Sequence, residues 1–477
     1  MLLEIRRRTP FGIEGDLGTP LYPGASSPLD LTRVNPHAVA IRVTRPAGDG
    51  GSQDCGTCSD SHLVRANRRL SEALADMVVF SRKESSSMPV RARCALIAAV
   101  ASLYAMAYAA PAVAGPDAKA KIVPLGMSID HAPHAVLGAD GKQHLAYEIT
   151  IVNQTPGDVT IQSVQALAGK RPIGARLEGG SLAGLLRVNG SEEPVIRGGG
   201  SALLFMDLQY PAGAPRPRRL THAITMTLSQ PPEPEQRFSF VGVPTRVARG
   251  RALQVAAPLR GRRWVAGNGC CQPINAHRGA TLSIDGTVRV PERFAIDWVQ
   301  LAPSLRLFEG PVDQLASYAY FGDPIHSVAA GKVVSAQDRL AEQTPGSLPE
   351  GQTVQSAGGN HVVVKLASKR YAFYAHMQPG SLRVEVGDRV RKGQIIGLLG
   401  NTGNTDAPHL HFHIMDGPSP LQSNGLPFVH PRFTGQGLIS DESLLQSGEV
   451  VPVDTRVLSG HLRSAMPMGL QMVRFGR

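Results

Sequence analysis

Aromatic side chains are scarce in this 477-residue chain: Phe, Trp and Tyr make up 5% of it, against 51 glycines. That balance disfavours a bundle of helices and favours short strands joined by many turns. Cysteine is rarer still, with five residues: Cys55, Cys58, Cys94, Cys270 and Cys271. Cys55-Gly-Thr-Cys58 has the spacing of a redox or metal knuckle, but no second half-site and no βαβ pattern accompany it. The apolar run at 95–110 is shorter than the about 20 residues of a membrane-spanning helix. No His-Glu-x-x-His helix occurs, so a glutamate-base metallopeptidase of that type is not implied. The chain does not lack positive charge. Its formal net charge of +11 suits an anionic polymer as partner. No nucleic-acid module is recognisable, so no nucleic-acid partner is expected.

The most informative stretch is PHLHFHIMDG at 408–417. Side chains alternate along a strand, so His409 and His411 leave the same face about 7 Å apart. One imidazole can then sit on a metal and the other beside whatever the metal polarises. YAFYAHM at 371–377 adds His376, and RFAIDW at 293–298 places an acid, Asp297, among apolar residues. A carboxylate in such a setting calls for a partner.

Over roughly 260–435 the sequence resembles the lysostaphin- and LytM-type zinc metallopeptidases, which cut peptide cross-links of cell-wall peptidoglycan. The motifs occur in the family's order: HR (277–278), FAIDW (294–298), VAAGKVVSA (328–336), GGNHVVV (358–364), YAFYAHM, VEVGDRVRKGQIIGLLGNTGNT (384–405) and PHLHFHI. The resemblance implies one zinc per chain, with His277, Asp297 and His411 as ligands and His376 and His409 as catalytic groups. It also implies an exported endopeptidase that uses zinc-bound water as nucleophile and peptidoglycan peptide stems as substrate. A catalytically silent wall-binding or regulatory protein on the same scaffold is the alternative. The family's common spacing puts three residues between the first His and the Asp; here nineteen lie between His277 and Asp297. Asp285-Gly286 between two apolar runs predicts a hairpin inserted there, which returns the chain close to its start. Asp285 is the rival carboxylate, in a turn context. Cys270 and Cys271 are expected as an adjacent-residue disulfide or as thiols near the site; thiolate ligation of zinc is the other option.

The predicted fold class is all-β: an immunoglobulin-like sandwich followed by a β-rich LytM-type peptidase domain. Residues 1–87 are expected to be an upstream extension that is not native. Residues 88–114 have the form of a secretory signal peptide, with Arg91 and Arg93 before the apolar run and small-residue cleavage sites after it. That points to a periplasmic or wall-associated product with no stable membrane span after cleavage. Strands expected at 144–155, 158–167, 201–211, 219–230 and 238–248 form the sandwich, 115–250, with PPEPEQ (231–236) starting a turn. His222 is expected on a strand surface. The peptidase domain spans 251–440 and a tail 441–477. Its glycine-punctuated hairpins also occur in biotinyl and lipoyl carriers, but Lys392 lacks the carrier flanks. His413 shares the face of His411 and is expected on the cleft wall; His326, His361 and His461 are expected to be structural or incidental. Asn360 and Tyr374 flank the motifs, and the polar loops at 337–358 and 416–428 are expected to wall a groove.

Overall fold

A computed structural model describes residues 120–271 and 274–476. The expectations for 1–87 and 88–114, with Cys55, Cys58 and Cys94, lie outside the described residues. The chain is almost entirely β, as the glycine-rich, aromatic-poor composition predicts. Among the described residues no helix is long and apolar enough to cross a membrane.

Two sheets form a sandwich over 125–246. In the first, Lys142–Asn153 lies between Leu125–Ser128 and Ser201–Pro211, with Leu186–Val188 beyond the latter and His134–Leu137 also on Lys142–Asn153. In the second, Arg219–Gln230 lies between Glu233–Arg246 and Asp158–Ala168. One apolar core fills the space between them. Leu145, Tyr147, Ile149 and Ile151 enter it from one strand and Leu204, Met206 and Leu208 from its neighbour, the two-residue alternation of a strand. The immunoglobulin-like affiliation of this sandwich stays a proposal. Two local expectations need correction. Only Pro231-Pro232 makes the turn of PPEPEQ, and the next strand already starts at Glu233. His222 is not on a strand surface: it is fully buried, with Nε2 2.6 Å from the Tyr147 hydroxyl and Nδ1 3.0 Å from the Val243 carbonyl.

The first sheet is buried on both faces. His144, Ala146 and Glu148 alternate with the core residues of Lys142–Asn153, and all three are shielded from solvent. Ala146 packs in the core of the second part of the chain, together with Val265, Trp298 and Phe412. The sandwich therefore carries the second part on the outer face of one sheet.

The second part, 253–475, is built on one long sheet. Its central order is Phe428–Ile439, Gln471–Phe475, Gly261–Gly267, Ile296–Gln300, Leu410–Met415, Arg370–Ala375, His361–Ala367 and Gly331–Gln337. Residues 453–475 are thus strands of this sheet: Val453–Ala465 pairs with Phe428–Ile439, and Gln471–Phe475 lies inside. Apolar residues face the core, with Trp264, Ile296, Trp298, Leu410, Phe412 and Ile414 all fully buried. The residues between them project from the other face, and these include Asp297, His411 and His413.

Candidate metal centre and active site

Strand register alone sets half of the site. Asp297 lies directly opposite His411, and Ala375 lies opposite His411 on the other side. The strand carrying Ala375 ends one residue short of His376. His376 takes a left-handed backbone conformation, φ 63°, which for a side chain of this size costs about 1–3 kcal/mol and needs surrounding contacts to hold it. The contacts are its amide on the Gly358 carbonyl and its ring Nδ1–H donating to the Thr402 carbonyl at 2.7 Å. His409 precedes the strand Leu410–Met415 and is held in the same way: its Nδ1–H donates to the Ala407 carbonyl at 2.9 Å. The two rings lie 4.4 Å apart between centroids, and His409 Nε2 is 3.4 Å from Asp297 Oδ1.

His277 reaches the site from a short helical turn, Ala276–Gly279. The nineteen intervening residues contain the expected hairpin, Leu282–Ile284 with Thr287–Arg289. Its turn residues Asp285 and Gly286 have φ 50° and 73°, both in the left-handed region that an Asp-Gly pair tolerates in such two-residue loops. Asp285 is exposed on that turn and stands apart from the cluster. The excursion closes, and His277 Nε2 lies 3.0 Å from Asp297 Oδ2.

His277, Asp297 and His411 each present a ligand atom within 4.8 Å of the others. The hydrogen bonds around them test whether a cation fits. His277 donates its Nδ1–H to the Asn268 carbonyl at 3.1 Å, so its Nε2 lone pair faces the Asp297 carboxylate. His411 Nε2 lies 2.9 Å from His413 Nδ1. Burial, then the nearby His411 and His277 rings, hold His413 well below the usual histidine range, so it is neutral and shares one proton with His411 across that contact. With that proton on His411 Nε2, the His411 Nδ1 lone pair lies 3.0 Å from Asp297 Oδ1. Two lone pairs aimed at one carboxylate repel unless a proton or cation stands between them. Ligand atoms of tetrahedral zinc lie about 3.3 Å apart, close to both separations, so the donor set fits zinc. Without a cation a proton takes that role. Burial alone would lower His277, but the Asp297 carboxylate outweighs it and raises the ring to about 9. Asp297 is held well below the usual carboxylate range: its burial acts the other way, but His277 and His409 prevail. Burial and the His409 and His411 rings keep His376 neutral, well below its usual value.

Two neighbours, Asn268 and Glu292, carried no signal of their own in the sequence. Asn268 donates its side-chain amide to Asp297 Oδ2 at 2.9 Å while its carbonyl holds His277. Glu292 Oε1 lies 3.7 Å from His411 Nε2, and its Oε2 is buried with no hydrogen-bond partner among the described residues. Tyr374 is turned into the core, its hydroxyl accepting from the Val328 amide at 2.9 Å. Asn360 ties down the start of the 337–358 loop by accepting from the Arg339 and Leu340 amides. His326 and His361 bond to the Pro258 and Gly359 carbonyls and stay outside the cluster, and His461 is exposed. Cys270 and Cys271 form a disulfide with each other. A second group, His144, Asp207 and Cys271, is also close enough to hold an ion. With the Cys271 sulfur in the disulfide it has no thiolate to offer, and His144 already lies between two carboxylates, 3.1 Å from Asp140 and from Asp207.

Residues 315–423 match Peptidase family M23. The chain carries an M23 domain. The matched span includes His376, His409 and His411 and leaves out His277 and Asp297. Among curated proteins, the glycyl-glycine endopeptidase ALE-1 of Staphylococcus capitis is 31% identical over 127 residues, 27% of this chain and 31% of the relative. Peptidoglycan DD-endopeptidase ShyC of Vibrio cholerae is 35% identical over 66 residues, 14% of this chain and 15% of the relative. The chain therefore spans less than a third of the length of either. Among solved structures, the catalytic domain of lysostaphin from Staphylococcus simulans aligns over 34% of this chain and 88% of its own, at 24% identity and a TM-score of 0.20. Around the M23 domain the chain adds the sandwich and the strands of 453–475.

Proposed function

We propose that this protein is an exported zinc endopeptidase that hydrolyses peptide cross-links of peptidoglycan. In this proposal His277, Asp297 and His411 hold one zinc, and His376 and His409 are the catalytic groups. The observation that carries it is the convergence of ring nitrogens of His277 and His411 on the Asp297 carboxylate, beside two further histidines, in a chain with an M23 domain. Zinc held by three such ligands acts as a Lewis acid on the scissile carbonyl and on water. The protein groups do the rest. His376 and His409 each have Nδ1 committed to a backbone carbonyl, which fixes ring orientation and leaves Nε2 to meet the reacting atoms. One can take the proton released by the attacking water while the other holds the developing oxyanion, with His409 Nε2 also 3.4 Å from Asp297 Oδ1. The substrate class follows from the relatives that share the domain and suits the net charge of +11. Export, to a periplasm or wall, rests on the signal-like segment 88–114.

The test is zinc content read together with muropeptide release by mass spectrometry. The wild-type protein should carry about one zinc per chain. His277→Ala, His411→Ala and Asp297→Ala should lose it. His376→Ala and His409→Ala should keep the metal and lose turnover, on the order of 10²–10⁴-fold. Muropeptide release that survives both chelation and the ligand substitutions would refute a zinc enzyme. Tight wall binding with no release by the zinc-loaded protein would support the silent alternative.

A further inference from the structure

The position four residues before Asp297, where the common family spacing puts the first histidine, holds Arg293. Its guanidinium forms a buried bidentate pair with Glu148, Nε to Oε1 at 3.1 Å and Nη2 to Oε2 at 2.5 Å. Glu148 belongs to the sandwich, on the outer face of Lys142–Asn153. The histidine that replaces the missing one, His277, sits in a segment that the same sheet grips repeatedly. Its neighbour Arg278, fully buried, donates to the Cys271 carbonyl and to the Met206 carbonyl of the sandwich. The Arg278 guanidinium also lies 5.7 Å from the centre of the Phe205 ring, within cation–π range. Arg187, on the sandwich strand Leu186–Val188, donates to the Gly279 carbonyl at 2.7 Å. His131 Nε2 reaches the Val288 carbonyl, at 2.9 Å, on the hairpin. By contrast, the elements that bring Asp297 and His411 together are strands of the peptidase sheet itself.

We infer that the sandwich is part of the metal centre's construction: Glu148, Phe205, Met206 and Arg187 hold the 275–293 segment so that His277 reaches zinc. This rests on the zinc proposal above and assigns the accessory domain a positioning role rather than only a docking one. A four-residue turn and a two-stranded hairpin are too short to be stable alone, so the orientation of His277 has to come from what they pack on. Arg278 is the buried charge that makes this grip specific, because withdrawing its acceptors would strand a guanidinium without partners.

The experiment measures zinc affinity of the full chain by competition with a chromophoric chelator, and ligand geometry by the visible spectrum of the cobalt(II)-substituted protein. Thermal unfolding of the metal-free form controls for the fold. Arg187→Ala, Arg278→Ala and Glu148→Gln should each raise the zinc Kd on the order of 10–100-fold, the scale found when groups supporting a ligand are removed. Arg187→Lys, which keeps one donor for Gly279, should recover most of the affinity. Arg187 is only half-buried, so its variants keep the test alive if Arg278→Ala fails to fold. The inference is overturned if the Arg187 and Glu148 variants bind zinc as the wild type does while His277→Ala does not. Wild-type protein that binds no zinc would instead strike at the function proposal itself.

Discussion

Raising the pH should loosen the sandwich through one residue, His144. Its ring is buried between two carboxylates, with Nε2 3.1 Å from Asp140 and Nδ1 3.1 Å from Asp207. Burial by itself would lower its pKa; the bonds to Asp140 and Asp207 overcome this and raise it from 6.5 to about 9. One unit is worth about 1.4 kcal/mol, so the protonated ring stabilises the fold by about 3 kcal/mol. The folded value is the higher one, so this contribution is complete below pH 6.5 and disappears as the pH rises through 9. The two carboxylates are depressed, so their share is present above about pH 4 and is lost on acidification. The network therefore stabilises most between about pH 4 and 6.5. The assay is chemical denaturation of chelator-treated protein at pH 6.5 and 9.5, comparing wild type with His144→Gln. Wild type should lose about 3 kcal/mol more than the variant over that interval. Equal losses in the two proteins would refute the argument, because every other titrating group is common to both.

Gly359→Ala should abolish turnover yet leave zinc content near wild type. Gly359 has φ 59°, and an added Cβ would collide with the Thr402 carbonyl that holds His376 in orientation; a fall in zinc content parallel to activity would contradict this. Tyr147→Phe should destabilise the sandwich by about 1–3 kcal/mol in denaturant titration, because it leaves His222 Nε2 buried without its partner. No change in midpoint would show that the bond contributes nothing.

The strand segments of both parts were legible because their apolar residues recur every second position, as in Leu145, Tyr147, Ile149 and Ile151. The Asp-Gly turn that folds back the long spacing before Asp297 was legible because few residue pairs accept two successive left-handed conformations. The histidines of the cluster stood out because side-chain nitrogen in an apolar strand needs a purpose. What the sequence hid was mostly backbone and long-range. The acceptors that orient His277, His376 and His409 are carbonyls of Asn268, Thr402 and Ala407, and a carbonyl leaves no trace in residue type. His222 was misplaced because its alternation suits either sheet face, and only the pairing with Tyr147 reveals that it is inside. Nothing in the sequence distinguishes Glu148, His144 and Arg293 from ordinary polar or charged residues on a strand or turn. Their burial depends on a second domain covering the sheet's outer face.

The placement of Gln471–Phe475 inside the peptidase sheet has a consequence for how the protein is made. Val265, on the strand that leads to Asn268, pairs with Met472, so one flank of the candidate site waits for a partner synthesised roughly 200 residues later. At about 5–20 residues per second that interval is on the order of 10–40 s. The sandwich, complete by residue 246, can fold during the wait and offer its outer face as a template. Until the strand at 471–475 has been made, Gly261–Gly267 lacks one of its two neighbours in that sheet.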